Sequence, residues 1–338
     1  MKKKKYNSMI IAVAALVVAG GAYLGLTKYN DYQEKKEAEQ AEAEQANQTF
    51  INKMDAIQKV SIKNSYGEYS FSLNDEKWVY DGDSTFPLDE SLLTSIASQG
   101  EGIVAVNMYE EIDELSAYGL EDAPLQVTFT DDTGESVTLS YGNEVNSYYY
   151  CKKDGSDLVY TVDSVLYSDL NKDLLDFVLL DTIEISDGDI LGYTVSLDGK
   201  DYYFDKETTT TTTTSEDGEE EDTEATTWYV TVDGVRSEIE DTNVVDSLDS
   251  QISGMSFTEC VEYNVDEKTK ESYGMTQPVC EITVHYLDSD SNECATTVVV
   301  GNETEDAYYG MLEDSTQINL ISDISITTVM DAVKTITK

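Results

Sequence analysis

The chain has very few of the cationic and imidazole side chains on which much enzyme and nucleic-acid chemistry depends. Its 338 residues include one histidine, His285, and one arginine, Arg236, and the other basic residues are all lysines. A nucleic-acid-binding protein needs a basic surface, and a phosphate clamp relies on the forked guanidinium group of arginine. A zinc site made of several histidines cannot be built from one. These shortages exclude a nucleic-acid-binding protein and a multi-histidine centre.

The sequence also lacks the short motifs that mark common catalytic and cofactor sites. It has no P-loop, no G-x-S-x-G, no G-x-G-x-x-G after a strand and no H-E-x-x-H. Asp132–Gly134 has the Asp-Thr-Gly letters of an aspartic protease, but Asp288–Asn292 at the matching place in the second half does not, and a two-lobed protease needs both. Asp288–Asn292 begins like a calcium loop, yet Glu293 and Val299 stand where Gly and Glu are needed. We therefore predict no catalytic residue, no cofactor and no metal ligand.

Negative charge dominates the chain, except at its beginning. There are 68 acidic and 21 basic residues, which give a net charge of −47. The first 28 residues contain five lysines and no acid. Four of these lysines precede an uncharged apolar run, Met9–Leu26, which is long enough as a helix to cross a hydrocarbon core. We therefore expect a cytoplasmic basic tail (1–8), a single transmembrane anchor (9–27) and an extracytoplasmic carboxyl-terminal bulk at the cell membrane.

A cleaved signal peptide is the alternative to an anchor, since Gly20 and Ala22 are small enough for a cleavage site. The apolar run continues past them to Leu26, however, which favours the anchor. The next segment, 28–50, is rich in Ala, Glu, Gln and Lys and has no apolar stripe. A helix that is polar on all sides is a solvated spacer, so this segment is predicted to be a helical stalk.

The remaining sequence contains the same pattern twice, in the same order. Matching segments indicate two tandem repeat units, 51–180 and 181–338. The matched pairs are Val60–Ile62 with Val195–Leu197, Trp78 with Trp228, Leu92–Gln99 with Val244–Gln251, Tyr118-Gly119-Leu120…Pro124 with Tyr273-Gly274-Met275…Pro278, Gly142-Asn143 with Gly301-Asn302, and Tyr149-Tyr150 with Tyr308-Tyr309.

The repeat signature consists of eight residues for which we expect a structural role. Glycines that follow a short helical or turn segment suit a backbone with positive φ, and prolines mark the entry into a strand. A paired ligand site is the alternative interpretation. The eight residues are Tyr118, Gly119, Pro124, Gly142, Tyr273, Gly274, Pro278 and Gly301.

The pattern of each unit predicts an α+β fold. Alternating apolar and polar residues predict strands, as in Leu125–Thr130 and Val279–Val284, and Asp/Gly/Ser clusters predict the turns between them. Helices are expected at 88–99 and near 243–251, with shorter ones at 164–175 and 325–333. We expect an antiparallel sheet in each unit with helices on one face. The acidic Thr-rich segment 207–227 has no large apolar residue to bury before Trp228, which predicts a disordered insert, with weak calcium binding as an alternative.

The remaining reactive side chains show no catalytic spacing. Cys151, Cys260, Cys280 and Cys294 include no C-x-x-C and do not recur between the units, so we expect free, partly buried thiols, with one disulfide as the alternative. His285 lies in an alternating strand and is predicted to be structural. The 24 tyrosines suit core and rim positions, although tyrosine is also favoured at interfaces and carbohydrate sites.

Together these motifs resemble the domain-of-unknown-function family numbered 4340. The resemblance lies in the "Y-G-L…P" step at 118–124, the following strand–turn–strand, the "G-N" step at 142–143, and the "YY" strand that leads to Val159–Asp163. It covers most of residues 55–335, once per half. It implies a bacterial, membrane-anchored, extracytoplasmic protein whose relatives are often associated with ABC-type transport systems of the gliding-motility kind. It implies no catalytic residues.

From these features we expect a non-enzymatic, membrane-anchored extracytoplasmic binding or scaffold protein. Its expected partners are the membrane, through one amino-terminal helix, and a protein of the membrane or envelope, including subunits of an ABC-type transporter. The alternative is a cell-envelope hydrolase that uses paired carboxylates. The abundance of acidic residues means that the sequence alone cannot identify such a pair.

Overall fold

The computed structural model describes residues 48–183, 190–214 and 220–337. The predicted cytoplasmic tail (1–8), the anchor (9–27) and all but the last three residues of the stalk (28–50) lie outside these ranges. Within the described ranges, no helix has the length and apolar content needed to cross a membrane.

The described chain is a sheet-rich α+β fold with two large antiparallel sheets and few helices. Elements before residue 184 form the first unit. They are β1 (Thr49–Phe50), β2 (Ile57–Lys63), β3 (Glu68–Asn74), β4 (Lys77–Tyr80), α1 (Glu90–Glu101), β5 (Val104–Ala105), β6 (Asn107–Tyr109), the 3-10 helix η1 (Leu115–Tyr118), β7 (Leu125–Asp131), β8 (Ser136–Val145), β9 (Tyr148–Lys153), β10 (Val159–Asp163), α2 (Ser164–Leu170) and the 3-10 helix η2 (Leu174–Phe177).

Elements after residue 189 form the second unit. They are β11 (Ile190–Leu197), β12 (Lys200–Thr214), β13 (Glu220–Val232), β14 (Val235–Glu238), α3 (Thr242–Ser253), β15 (Phe257–Glu262), α4 (Glu267–Ser272), β16 (Cys280–Leu287), β17 (Glu293–Glu303), β18 (Ala307–Leu312), β19 (Ile318–Ser322) and α5 (Asp323–Ile336).

The first sheet buries one face against its helices. Its strand order is β4-β3-β2-β7-β8-β9-β10-β6. In β7, Leu125, Val127 and Phe129 are buried, whereas the residues between them are more exposed, as expected for a strand with one face on the core. Helix α1 covers this face, because its apolar residues recur every three or four positions and those at 93, 96, 97 and 100 are buried. The side chain of Asp89 caps the helix by accepting from the backbone N–H groups of Ser91 and Leu92.

The second sheet has the same strand order with one additional edge strand, β14-β13-β12-β11-β16-β17-β18-β19-β15. The irregularities also recur. Strands β2 and β11 shift register after Ile57 and Ile190, and β8 and β17 shift after Tyr141 and Val300. Such bulges bend a strand at a defined residue, so they fix which positions correspond.

These bulges correct one detail of the internal alignment. Counting from Ile57 and Ile190, the residue that corresponds to Val195 is Ile62 and not Val60. The matched letters Val-Ser-Ile and Val-Ser-Leu are therefore two residues out of register. A shift of two residues keeps every side chain on the same face, which is why the pattern alone could not detect it.

The prediction of helices on one face only is incomplete for the second unit. Helices α3 and α5 cover the face that carries Val298 and Val300, as expected. The intervening Val299, however, packs with Met275, Met311 and two other buried residues in a separate small core on the opposite face. The apolar outward-facing positions of β17, β18 and β19 require this second layer, which the segment around α4 supplies.

The segment 207–227 is not disordered over most of its length. The backbone of 207–214 pairs residue by residue with that of 220–227, which extends the β12–β13 hairpin, and residues 215–219 lie outside the described ranges. Threonine is a good strand former, and the pairing continues a ladder that begins at Tyr202 and Val232 and includes the buried Phe204 and Trp228. Residues 207–210 are exposed, but their backbone is paired in the hairpin.

The two units contact each other along β15. Cys260 and Tyr263, in and after this edge strand, pack with the hydrophobic core of the first unit. The ring of Tyr263 makes an edge contact with Phe86, with centroids 5.0 Å apart, and its hydroxyl donates to Asp83 at 3.2 Å. The buried Gln317 ties the junction by accepting from the backbone N–H of Asp181 at 2.9 Å.

Candidate functional site

The repeat-signature residues of the first unit meet where the segment after β6 rejoins the sheet. Helix η1 ends at Tyr118, and Gly119 follows with φ of 70°, a left-handed conformation that suits glycine. Its N–H donates to the carbonyl of Ser116 at 3.1 Å. Gly142, at the bulge of β8, lies so near the carbonyl oxygen of Tyr118 that a Cβ there would come within 3.0 Å of it. These glycines allow two pieces of backbone to approach closely.

The second unit repeats this arrangement. Gly274 has φ of 84°, and Gly301 lies against the carbonyl oxygen of Tyr273 as Gly142 lies against Tyr118. Here the backbone N–H of Asn302 donates to the Tyr273 carbonyl at 2.8 Å. Pro124 immediately precedes β7, and Pro278 stands two residues before β16. The tyrosines and glycines of the signature therefore form two equivalent joints, one in each unit, in which backbone packs closely against backbone.

A cluster of half-buried tyrosines surrounds the joint in the first unit. The rings of Tyr118 and Tyr150 make an edge contact at 5.0 Å, and Tyr109 approaches Tyr150 at 6.0 Å. In the second unit the equivalent rings, Tyr273 and Tyr309, are 4.7 Å apart.

The partner of the joint tyrosine differs between the units. Tyr109 is paired with Val159 in the first sheet, and Glu262 holds the same place beside Ile318 in the second. Glu262 accepts a hydrogen bond from the Tyr273 hydroxyl at 3.3 Å. Burial, followed by this acidic neighbour, raises the pKa of Tyr273. The first unit therefore has a third aromatic ring where the second has a carboxylate.

The clearest difference between the units is at the last strand of each sheet. Strands β6 and β15 occupy equivalent edges beside β10 and β19. In β15, Phe257 and Cys260 are buried, with 7% and 2% of their surface exposed. Met108 in β6 and Val106 just before it are 44% and 45% exposed. Among the residues that the structure describes, the edge that contacts a neighbouring unit in one sheet is thus open in the other.

A small, mostly apolar cavity lies beside this open edge. It has a volume of about 230 Å³ and is lined by the end of α1, by β5 and by the start of α2, including Val104, Val165 and Leu166. Tyr141 of β8 also lines it. The Tyr141 hydroxyl is buried and has no hydrogen-bond partner among the described residues, and burial raises its pKa well above the ordinary value. The Tyr141 side chain is 0% exposed, so its hydroxyl presents no accessible surface to the cavity.

A second, open groove lies on the outer face of the second sheet. It has a volume of about 570 Å³ and is lined by residues that include Thr194, Tyr203 and His285. The His285 Nε2 is 2.8 Å from the Thr194 hydroxyl, and the ring contacts Tyr203 edge-on at 5.7 Å. Burial lowers the pKa of His285, which favours the neutral imidazole. The histidine is held by strand neighbours, in agreement with the structural role predicted for it.

Two acidic residues, Asp201 and Asp233, line this same groove. Asp201 Oδ1 accepts from the Ser196 hydroxyl at 2.6 Å, and Asp233 lies 3.8 Å from the Lys200 ammonium group. No groups of three or more His, Cys, Asp or Glu side chains within the described ranges are arranged to hold a metal ion.

The two acidic motifs found in the sequence are turns. Next to Asp132–Gly134, the carboxylate of Asp131 accepts from the backbone N–H groups of Thr133 and Glu135, both at 2.9 Å. Asp288 accepts from the N–H groups of Asp290 and Asn292 in the same way. The hydrogen bonds from Thr133 and from the Asn292 side chain lower the pKa values of Asp131 and Asp288. Both carboxylates therefore stabilise hairpin turns.

The four cysteines are free thiols in the structure. Cys151, Cys260 and Cys280 are buried, and Cys294 is partly exposed. Burial raises the pKa of Cys260 and of Cys280 to about 12 and that of Cys151 further, which suppresses the reactive thiolate. Cys280 and Cys294 lie on neighbouring strands but pair with Val300 and Tyr286, not with each other.

The comparison with protein families gives one match. A model described as "Domain of unknown function (DUF4340)" matches residues 78–242 as a single copy. The matched segment begins in β4 and ends at the first turn of α3, so it crosses from one unit into the other instead of covering either one. The chain matches no curated protein and no solved structure.

Sequence reasoning missed the open edge and its cavity. The residues concerned, Val104–Tyr109, form a mostly apolar run in which only Asn107 is strongly polar, and this run carries a strand signal. Their exposure could not be read from that signal, because it depends on which sheet edge the neighbouring unit covers. The unpaired hydroxyl of Tyr141 was equally hidden, since a tyrosine in an alternating strand is usually an ordinary core residue.

Proposed function

We propose that this chain is a non-enzymatic, membrane-anchored extracytoplasmic binding or scaffold protein. The observation that carries the proposal is the difference between the two equivalent sheet edges. Strand β15 is an interface inside the molecule, whereas Met108 in β6 and Val106 just before it are exposed. Exposed apolar residues at a position that serves as an interface elsewhere in the same fold favour a protein-binding surface.

The membrane anchor, the tandem copies and the transporter association are supported by the sequence and by the strand order. The uncharged run Met9–Leu26 after four lysines supports an anchor with the units outside a bacterial cell membrane. The shared strand order of the two sheets supports two tandem copies of one domain. Resemblance to the numbered family supports a more specific form, an accessory subunit of an ABC-type transport system.

Co-purification tests this function. The tagged full chain is expressed in its own host, extracted from membranes with mild detergent and compared with an unrelated anchored protein of similar acidity. We expect one or a few membrane or envelope proteins to be enriched reproducibly and in constant ratio. Recovery of no specific protein, together with release of the chain from membranes by high salt alone, would contradict both the binding role and the anchor.

The second candidate is a cell-envelope hydrolase, for which the groove with Asp201 and Asp233 is the relevant observation. Glycosidases use two carboxylates on opposite sides of a sugar bond. The full chain would have to release sugars or peptides from purified cell-wall material, and Asp201→Asn and Asp233→Asn would each have to abolish that release. Equal activity in these variants would remove this candidate.

A further inference from the structure

We propose that the groove on the outer face of the second sheet binds a neutral sugar unit of a glycan, which packs against the ring of Tyr203. This inference rests on the proposed binding function and deepens it by naming a site and a class of ligand. The name "outer groove" is used below for the groove of about 570 Å³ whose lining includes Thr194, Asp201, Tyr203, Thr231, Asp233 and His285.

Comparison with the first unit shows which features of the outer groove the fold does not itself require. The first sheet has a groove of about 400 Å³ at the equivalent place, where two serine hydroxyls bond each other at 2.7 Å. In the second sheet, two rings and a glycine replace a serine, a threonine and a lysine. The corresponding residues are Tyr203 with Ser70, His285 with Thr130, and Gly192 with Lys59. The same sheet therefore forms without these rings, which favours a function for them.

The ring of Tyr203 is held in place although it is partly exposed. It leans over Gly192 on the neighbouring strand, since a Cβ there would lie 2.9 Å from the Tyr203 hydroxyl oxygen. His285 contacts the ring edge-on at 5.7 Å, and its Nε2 is fixed 2.8 Å from the Thr194 hydroxyl. A ring that is already fixed loses little conformational entropy when a ligand packs on it. His285 is thus a positioning residue for Tyr203.

Hydrogen-bonding groups of both kinds surround this ring. Thr194 and Thr231 are its direct partners on the two neighbouring strands. The carboxylates of Asp201 and Asp233 are acceptors, and the ammonium group of Lys200, which also lines the groove, is a donor. A sugar has hydroxyl groups that both donate and accept, arranged around an apolar face of C–H groups. It therefore matches an aromatic ring that is bordered by mixed donors and acceptors.

The charges around the outer groove disfavour a charged ligand. The Lys200 ammonium group lies 3.8 Å from Asp233, so each partly balances the other. Arg236, on the edge strand beside Thr231, is already paired with two carboxylates. The net charge of −47 repels anions such as phosphates and acidic sugars. A basic peptide is the competing ligand, and the pairing of Asp233 with Lys200 leaves less charge to attract it.

A printed array of neutral oligosaccharides tests this proposal, with sulfated oligosaccharides and oligolysine as charged probes on the same slide. The full chain is applied in a detergent without a sugar headgroup, because a maltoside or glucoside would compete for the groove. We expect binding to a defined group of neutral oligosaccharides and none to the sulfated ones. Titration calorimetry with the best-bound neutral oligosaccharide in solution then gives the dissociation constant.

Tyr203→Ser removes the packing surface. Serine is the residue that the first unit has at this place, so the sheet is expected to fold, as circular dichroism would verify. The variant should bind the neutral oligosaccharide about tenfold more weakly, or less well still. Tyr66→Ser is the matched control, because Tyr66 is a 58% exposed tyrosine of the first unit, and it should leave the dissociation constant unchanged.

His285→Thr tests whether the histidine acts through Tyr203. Threonine again stands at this place in the first unit, and the variant should weaken binding several-fold because the ring loses its neighbour. The double variant should lose no more than Tyr203→Ser alone, since nothing is left for the histidine to position. A further loss in the double variant would overturn the positioning role.

Other outcomes overturn the proposal itself. Binding to no neutral oligosaccharide, a dissociation constant that Tyr203→Ser leaves unchanged, or displacement of the sugar by oligolysine would contradict the stated chemistry. Release of shorter fragments from the bound oligosaccharide would identify the groove as a hydrolytic site instead. Specific co-purification of a protein without any sugar binding would refute this inference alone and leave the proposed binding function in place.

Discussion

The carbonyl oxygen of Tyr118 occupies the space in which a side chain on Gly142 would begin. A Cβ at residue 142 would come within 3.0 Å of that oxygen, which real Cβ atoms do not do. Tyr273 and Gly301 have the same relationship in the second unit. In the first unit this contact joins the segment between β6 and β7 to the bulged strand β8. The second copy of the signature preserves the same close approach of backbone to backbone.

Replacing Gly142 or Gly301 by alanine should therefore destabilise the unit that contains it. The obstructing atom belongs to backbone that is itself hydrogen-bonded and cannot move aside cheaply, so a cost of about 1–3 kcal/mol is expected. Chemical denaturation followed by circular dichroism measures it. Gly134→Ala is the control: Gly134 has φ of 85° but no atom within 4 Å of its missing Cβ, so only the backbone strain of about 1–2 kcal/mol applies. An equal or smaller loss at Gly142 than at Gly134 would argue against the packing explanation.

Gln317→Ala should weaken the junction between the units. The side chain is 4% exposed, accepts from the N–H of Asp181 and donates to the carbonyl of Leu179 at 3.2 Å. Its loss removes two partly buried hydrogen bonds to the backbone of Asp181 and Leu179, which costs about 0.5–1.5 kcal/mol for each bond. Hydrogen exchange should show faster exchange at the amide of Asp181, with the centres of both sheets unchanged. Uniform acceleration across both sheets would mean that the two units unfold as one.

Thiol chemistry should separate Cys294 from the other three cysteines. Only this thiol is partly exposed, whereas the pKa values of Cys260 and Cys280 are raised to about 12 by burial. With an aromatic disulfide reagent at pH 8, one thiol should react rapidly in the native chain and four in denaturant. Cys294→Ser should remove the rapid phase. A rapid phase that survives in this variant would show that a buried thiol becomes accessible.

The sequence predicted the α+β class, the antiparallel sheets and the positions of the main helices, because these follow from local periodicity and turn residues. Leu93 and Ile96 recur at helical spacing, and Leu125, Val127 and Phe129 at strand spacing. Pairing partners and coverage depend on distant parts of the chain. Two predictions failed for this reason: Val60 was aligned two residues out of register, and the Thr-rich segment was not expected to pair. Neither feature changes the local sequence pattern.

The candidate site was less accessible to sequence reasoning for the same reason. The signature residues were found because they recur, and recurrence identifies what both units need in order to fold. The open edge is the opposite case, because it is defined by a difference between the units: Met108 is exposed, whereas the corresponding Cys260 is buried. Such a difference becomes visible only when it is known that β15 is covered by the other unit and β6 is not.

Another difference between the units is a tyrosine–aspartate pair in the second, in which the tyrosine is fully buried and the aspartate side chain is 30% exposed. Tyr193 is fully buried in β11, and its hydroxyl donates to Asp249 of α3. The corresponding residues of the first unit, Val60 and Ala97, are apolar. Burial, and then the hydrogen bond and charge of Asp249, raise the pKa of Tyr193 well above its ordinary value. The neutral phenol is therefore the form that the fold requires.

This pair predicts how stability depends on alkaline pH. Below about pH 10, the ordinary pKa of tyrosine, both the folded and the unfolded chain hold the Tyr193 proton, and the contribution of the pair is complete. Above it the unfolded chain loses the proton while the folded chain keeps it, so the free energy of unfolding falls as pH rises. Tyr193→Phe should cost about 1–2 kcal/mol at pH 7, because Asp249 loses its donor, and should give a shallower decline above pH 10. Urea denaturation at intervals between pH 7 and 11 measures both effects. Parallel curves for the two proteins above pH 10 would show that other raised tyrosines, such as Tyr141, account for the alkaline loss and that Tyr193 does not.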